Sequence, residues 1–128
     1  MTNLVFVYGS LKKGYTNHQL LKHAELLSEG RTHGIMLHLG GFPAIVDGKA
    51  QVFGELYKVT PEILATLDRL EGHPHFYERR LVTIKPIDQN DGEYLAEAWC
   101  YFLSRDSQEH YQVLCPIIKN GTWNGPAT

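Results

Sequence analysis

Apolar residues run without a break from Leu4 through Val7 to Tyr8 before Gly9 stops them, the pattern of a short strand buried on both faces. Such a strand is expected at the centre of a sheet. Residues 9–16 read as a loop, and Asn17 reads as the cap of a short helix over roughly 18–23, with Leu20 and Leu21 on its apolar side. Between about residues 26 and 59, six glycines (Gly30, Gly34, Gly40, Gly41, Gly48, Gly54) separate β-prone pieces such as 42–46 and 51–59, predicting strands and turns. Thr60, Pro61 and Glu62 predict a helix start, with Thr60 as N-cap, and Gly72 predicts its end. Two more strands, about 76–86 and 94–103, flank the turn-rich segment Asp88-Gln89-Asn90-Asp91-Gly92 and predict a hairpin. A last helix is expected from Ser107 to Cys115, before Pro116 and an Asn120-Gly121 turn. Strands interleaved with a few helices place the chain in the α+β class, with its sheet curling towards a small barrel.

The 128 residues suit a single domain, 1–128, with no repeat or linker. With 43% hydrophobic and 20% charged residues, a packed core is expected. The net charge of −2 is spread along the chain without a basic run, which argues against a nucleic-acid partner. The longest apolar runs are far short of the roughly 18–20 residues of a membrane span, and the N-terminus shows no signal-peptide pattern, so the expected location is cytoplasmic. Cys100 and Cys115 lie at no metal or redox spacing and read as thiols that fill space.

Among the ionisable residues of the helix expected over 61–71, only Glu71 is placed to be desolvated. On a helical wheel it falls about 40° from the centre of the stripe formed by Ile63, Leu64, Leu67 and Leu70, so its carboxylate points towards the core. Arg69 and Glu62 fall on the opposite side and Asp68 on the flank. Burial and the negative end of the helix dipole both disfavour the anion, which raises the pKa towards the range useful for proton transfer. The alternative is a frayed last turn, with Glu71 in water or paired with Arg79 or Arg80.

Tyr8-Gly9-Ser10-Leu11, at the end of the buried run, forms either a plain turn or a nest of N–H groups facing a ligand. It is no phosphate loop, because Tyr15-Thr16 stand where that motif needs Lys followed by Ser or Thr. Glu55 shares a strand face with Phe53, Tyr57 and Val59 and is the second inward-facing carboxylate, for which a structural hydrogen bond is the other reading. His73-Pro74-His75 is the nearest approach to a metal-ligand pair, and no third ligand stands at a matching spacing, so no metal is assigned.

The run Val5-Phe6-Val7-Tyr8-Gly9-Ser10-Leu11-Lys12-Lys13-Gly14, followed by Asn17-His18, resembles the opening of the gamma-glutamylcyclotransferase-like family. Its gamma-glutamylamine cyclotransferase branch and small bacterial members are the nearest in pattern. Gly54-Glu55-Leu56-Tyr57, Leu67-Asp68-Arg69-Leu70-Glu71-Gly72 with Tyr77-Glu78-Arg79, Ala98-Trp99-Cys100-Tyr101 and the tail 118–123 extend the likeness over nearly the whole chain. The resemblance implies a mixed αβ protein with a small barrel-like core, Glu71 as catalytic acid/base, and Tyr8, Gly9, Ser10 and Leu11 as the substrate-binding loop. Tyr77 and Arg79 become candidates to line or brace the site. It further implies a small gamma-glutamyl substrate, conversion to 5-oxoproline and no cofactor. The rival reading is a non-catalytic module that binds a small metabolite in the same pocket. Neither the leaving group nor the oligomeric state follows from the sequence.

Overall fold

The central position of the first apolar run is the organising fact of the structure, a computed structural model that describes residues 3–87 and 95–125. Strand β1 (Leu4–Val7) lies between β3 (Pro43–Lys58), antiparallel to it, and β5 (Ala96–Leu103), parallel to it. With β2 (Glu25–His38) beyond β3 and β4 (Tyr77–Ile84) beyond β5, the five-stranded mixed sheet has the order β2-β3-β1-β5-β4. Val5 and Val7 enter one apolar cluster together with Leu21, Leu67 and Leu103, whereas Phe6 and Tyr8 enter a second with Met36, Ile45 and Trp123. Both faces of β1 are therefore covered, which is why the strand carries no polar alternation.

The predicted sequence of short strands over 26–59 resolves into one long hairpin. Gly40 and Gly41 lie in its turn, and the β2–β3 register shifts between Leu26 and Ser28 and again between His33 and Ile35, around Gly34. The sheet is strongly curled but does not close into a barrel. Among the described residues its two edges meet at one bridge, where Arg31 and Lys85 exchange N–H···O bonds of 2.9 Å each. The β4–β5 pairing from Tyr77↔Leu103 to Ile84↔Ala96 matches the expected hairpin, and its turn, 88–92, lies outside the described residues.

Helix α1 (Pro61–Glu71) begins and ends as its capping residues dictate. Thr60 Oγ1 accepts from Ile63 N at 3.1 Å, Pro61 opens the first turn, and Gly72 closes the helix in the left-handed region at φ 65°. Helix α2 (Arg105–Leu114) starts two residues earlier than predicted, after Ser104. The segment after Asn17 is a single 3₁₀ turn, His18–Leu21, and Asn17 does not cap it through its side chain. Its amide is engaged elsewhere, at the candidate site. The tail turns at Gly121 and buries Trp123, whose carbonyl accepts from Lys12 Nζ at 2.8 Å and Tyr15 Oη at 3.2 Å, tying the chain's end to the loop that follows β1.

Candidate functional site

Where β1 ends, Tyr8-Gly9-Ser10-Leu11 forms one wall of a cavity of about 520 Å³, and the C-terminal end of α1 forms another. The β2–β3 loop contributes Gly41 and Phe42, the first residue of β3 contributes Pro43, Phe76 and Tyr77 enter at the start of β4, and β5 contributes Tyr101. All four loop residues singled out from the sequence, together with Glu71 and Tyr77, face this one space.

The loop is held by its own carbonyls. Gly9 O accepts from Lys12 N at 3.0 Å, Ser10 O from Asn17 N at 2.9 Å, and Leu11 O from the Nδ1–H of His18 at 3.0 Å. Each trans peptide points its N–H opposite to its carbonyl, so the amides of Ser10 and Leu11 are turned away from these internal partners. Among the described residues, neither amide donates to a protein acceptor. Asn17 Nδ2 donates to Ser10 Oγ at 2.8 Å, clasping the loop, and this contact takes the place of the expected helix cap. Gly9 is required for a reason other than a sharp turn. Its φ is not in the left-handed region, and a Cβ there would lie 2.9 Å from Pro43 Cγ.

Among the described residues Glu71 is the one carboxylate that lines the cavity. Burial pushes its pKa from the ordinary 4.5 up to about 7, and desolvation is the cause. Among the described residues neither arginine that could have neutralised it does so: Arg79 pairs with Asp68 at 3.3 Å, and Arg80 with Asp47 and Glu78. The stripe used to place Glu71 holds only in part. Leu67 is fully buried and Leu64 packs against the core, but Leu70 is 44% exposed, because the last turn of α1 overhangs the cavity instead of the sheet.

The remaining candidates separate. Tyr77 lines the cavity and its hydroxyl donates to Pro43 O at 2.8 Å, holding the β2–β3 loop in place. Glu55 lies outside this cavity, beside a smaller depression with Lys12 and Glu29, where its Oε1 accepts from Lys13 N and Tyr57 Oη, both at 2.9 Å. Its satisfied acceptor fits the structural reading. Arg79 does not line the cavity either; it stacks on Trp99 at 4.5 Å and reaches the site only through Asp68. His73 accepts from Arg79 N at 3.0 Å, and among the described residues no group of three or more metal-ligating side chains gathers.

Sequence reasoning missed Tyr101 and Asp68. Tyr101 donates its hydroxyl to Asp68 Oδ1 at 2.6 Å, and its carbonyl accepts from Tyr8 Oη at 2.7 Å, so an Arg79–Asp68–Tyr101–Tyr8 chain braces the cavity floor. Burial raises the pKa of Tyr8, Tyr77 and Tyr101 further above the ordinary tyrosine value, which keeps all three neutral. The only signal available in the sequence was Asp68 on the flank of α1, one turn before Glu71.

Residues 5–125 match the family described as gamma-glutamyl cyclotransferase, AIG2-like. The chain belongs to that family. It is 34% identical over 125 residues to a relative from Vibrio cholerae, itself named only provisionally as a gamma-glutamylcyclotransferase, with 96% of each chain covered. It is 27% identical over 137 residues to the gamma-glutamylaminecyclotransferase of Rattus norvegicus, covering 95% of this chain and 91% of that one. An AIG2-like protein from Mus musculus superposes with a TM-score of 0.76 at 24% identity, covering 98% and 96% of the two chains, a likeness of fold. As a member of the gamma-glutamyl cyclotransferase, AIG2-like family, the chain keeps an open, curled sheet with two helices, in the α+β class expected.

Proposed function

We propose that this family member converts a gamma-glutamyl compound to 5-oxoproline and a free amine, with Glu71 as acid/base. The observation that carries this reading is an unpaired carboxyl with a pKa near 7 in the same cavity as the Ser10 and Leu11 amides. A group titrating there is ionised often enough to accept a proton and acidic enough to return it.

In the proposed reaction the substrate's α-ammonium, unreactive while charged, loses a proton to Glu71. The freed nitrogen attacks the γ-carbonyl carbon of the same molecule, closing the five-membered ring and leaving a negative oxygen. The amides of Ser10 or Leu11 supply donors for that oxygen or for the substrate carboxylate; one oxyanion donor is typically worth about 2.7–4 kcal/mol. Glu71 then gives its proton to the departing nitrogen as the negative oxygen re-forms the carbonyl and the bond to carbon breaks, and the second proton shed by the ring nitrogen passes through Glu71 to the freed amine, which leaves as its ammonium. Nothing is oxidised or reduced, and the step needs no cofactor. Ring closure is intramolecular, so folding the glutamyl chain against the cavity floor supplies much of the rate.

The test is release of 5-oxoproline from a panel of gamma-glutamyl amines and amino acids. The wild type is expected to turn over, and Glu71→Gln to be slower by at least about 10²-fold with ligand affinity little changed. Equal turnover by the two proteins would remove Glu71 from the mechanism, and binding of the panel by both with no release from either would mark a binding module.

A further inference from the structure

Beyond Glu71 and the loop, the cavity's mouth is apolar. Phe42, 40% exposed, projects from the β2–β3 loop, and Leu70, 44% exposed, projects from the last turn of α1. Phe76 joins them; its ring meets Phe42 edge-on at 6.2 Å and Tyr77 at 4.9 Å, and a third edge contact to Tyr111 at 5.8 Å anchors it from behind. Three large apolar side chains from three separate elements thus converge on one opening of the molecule.

The charges run the same way. Among the described residues that line the cavity there is no Lys, Arg or His, and the single ionisable group apart from the neutral tyrosines is Glu71. A substrate that placed a second carboxylate in this mouth would find no cation and would sit near a carboxyl that ionises during the reaction. A second ammonium would lose hydration against the apolar rim of Phe42, Leu70 and Phe76, a cost that attraction to Glu71 and to the ring faces offsets only in part. The glutamyl end, in contrast, is served inside by neutral donors of the loop.

Resting on the cyclotransferase reading, we infer that Phe42, Leu70 and Phe76 select the leaving group, and that the substrates are gamma-glutamyl derivatives of uncharged, apolar amines. Phe42 and Leu70 are the specificity-determining positions open to mutation, because both are already exposed. Apolar contacts discriminate roughly 10- to 200-fold per methylene in an enclosed pocket; a half-open rim places a whole butyl group at about 10-fold over a bare carboxymethyl.

The experiment compares gamma-glutamyl-n-butylamide, gamma-glutamylglycine and the gamma-glutamyl derivative of 1,4-diaminobutane. It reads kcat/KM by 5-oxoproline release, and affinity by calorimetry on the Glu71→Gln protein. The butylamide should lead both competitors by about 10-fold in each readout. Phe42→Arg should narrow or reverse the lead over gamma-glutamylglycine, and Leu70→Ser should narrow it by weakening the butylamide alone. Gamma-glutamylglycine or the diaminobutane derivative equalling the butylamide, or Phe42→Arg leaving the order unchanged, would overturn the inference while leaving the cyclotransferase reading intact. A butylamide preference in calorimetry without 5-oxoproline release would keep the apolar mouth and sink the reaction. Failure of all three compounds to bind would overturn both.

Discussion

Replacing Glu71 by Gln keeps the size and hydrogen-bonding capacity of the side chain but removes its titration, so the variant measures how far burial has shifted the carboxyl. The folded-state pKa of about 7 lies above the ordinary 4.5, so between these values the native protein holds a proton that the unfolded chain has lost. Stability therefore falls as pH rises through this window, and the ionised carboxyl remains a liability above it. A rise from 4.5 to about 7 corresponds to about 3 kcal/mol, and solvent reaching this partly exposed residue reduces the expected figure to about 2 kcal/mol. The assay is urea unfolding of both proteins from pH 4.5 to 8.5, read as the difference between them so that the other titrating groups cancel. Glu71→Gln should gain about 2 kcal/mol on the wild type between pH 4.5 and 7 and keep that gain above pH 7. In parallel, wild-type kcat/KM should climb with pH and level off near pH 7, since the base works only when ionised. A stability difference independent of pH would show a hydrated carboxyl. A variant that lost ground as pH rose would show an ion-paired one, and either result would refute the desolvation argument.

Gly9→Val should lower activity by more than about 10²-fold and cost about 1–3 kcal/mol of stability by forcing Pro43 away, whereas Ser10→Ala, which loses one hydrogen bond to Asn17, should cost a few-fold in kcat/KM; steady-state kinetics and thermal melts separate the two. Asp68→Asn weakens both the Arg79 ion pair and the Tyr101 contact, and should raise KM more than it lowers kcat while Glu71's pH profile stays in place; a shifted profile would mean that Asp68 acts on the carboxyl itself. The double variant Cys100→Ala with Cys115→Ala should retain turnover, at a stability cost of about 1 kcal/mol from the fully buried Cys100, and a folded but inactive double variant would contradict the chemistry proposed.

Much of the frame was legible because its causes are local. The unbroken apolar run 4–8 requires cover on both faces, which only a central strand obtains, and β1 lies between β3 and β5 with a separate cluster on each side. Thr60, Pro61 and Gly72 act on backbone groups within one turn, so they determine α1's ends whatever packs against it, and helical spacing then places Glu71 on the same side as Leu67. What spacing cannot report is which surface waits opposite. Leu70 belongs to the same stripe yet lines a cavity and stays 44% exposed. Glu55 alternates inward but is placed by the β1–β3 register beside Lys13 and Tyr57, away from Glu71. Asn17 looks like a helix cap, and its amide is drawn instead to Ser10, seven residues back. Asp68 and Tyr101, 33 residues apart, are joined by the tertiary fold alone. Periodicity and capping specify a side chain's direction within its own element, and long-range packing decides what that side chain meets, so the inward placement of Glu71 could be read from the chain while the brace of Asp68 and Tyr101 and the apolar mouth could not.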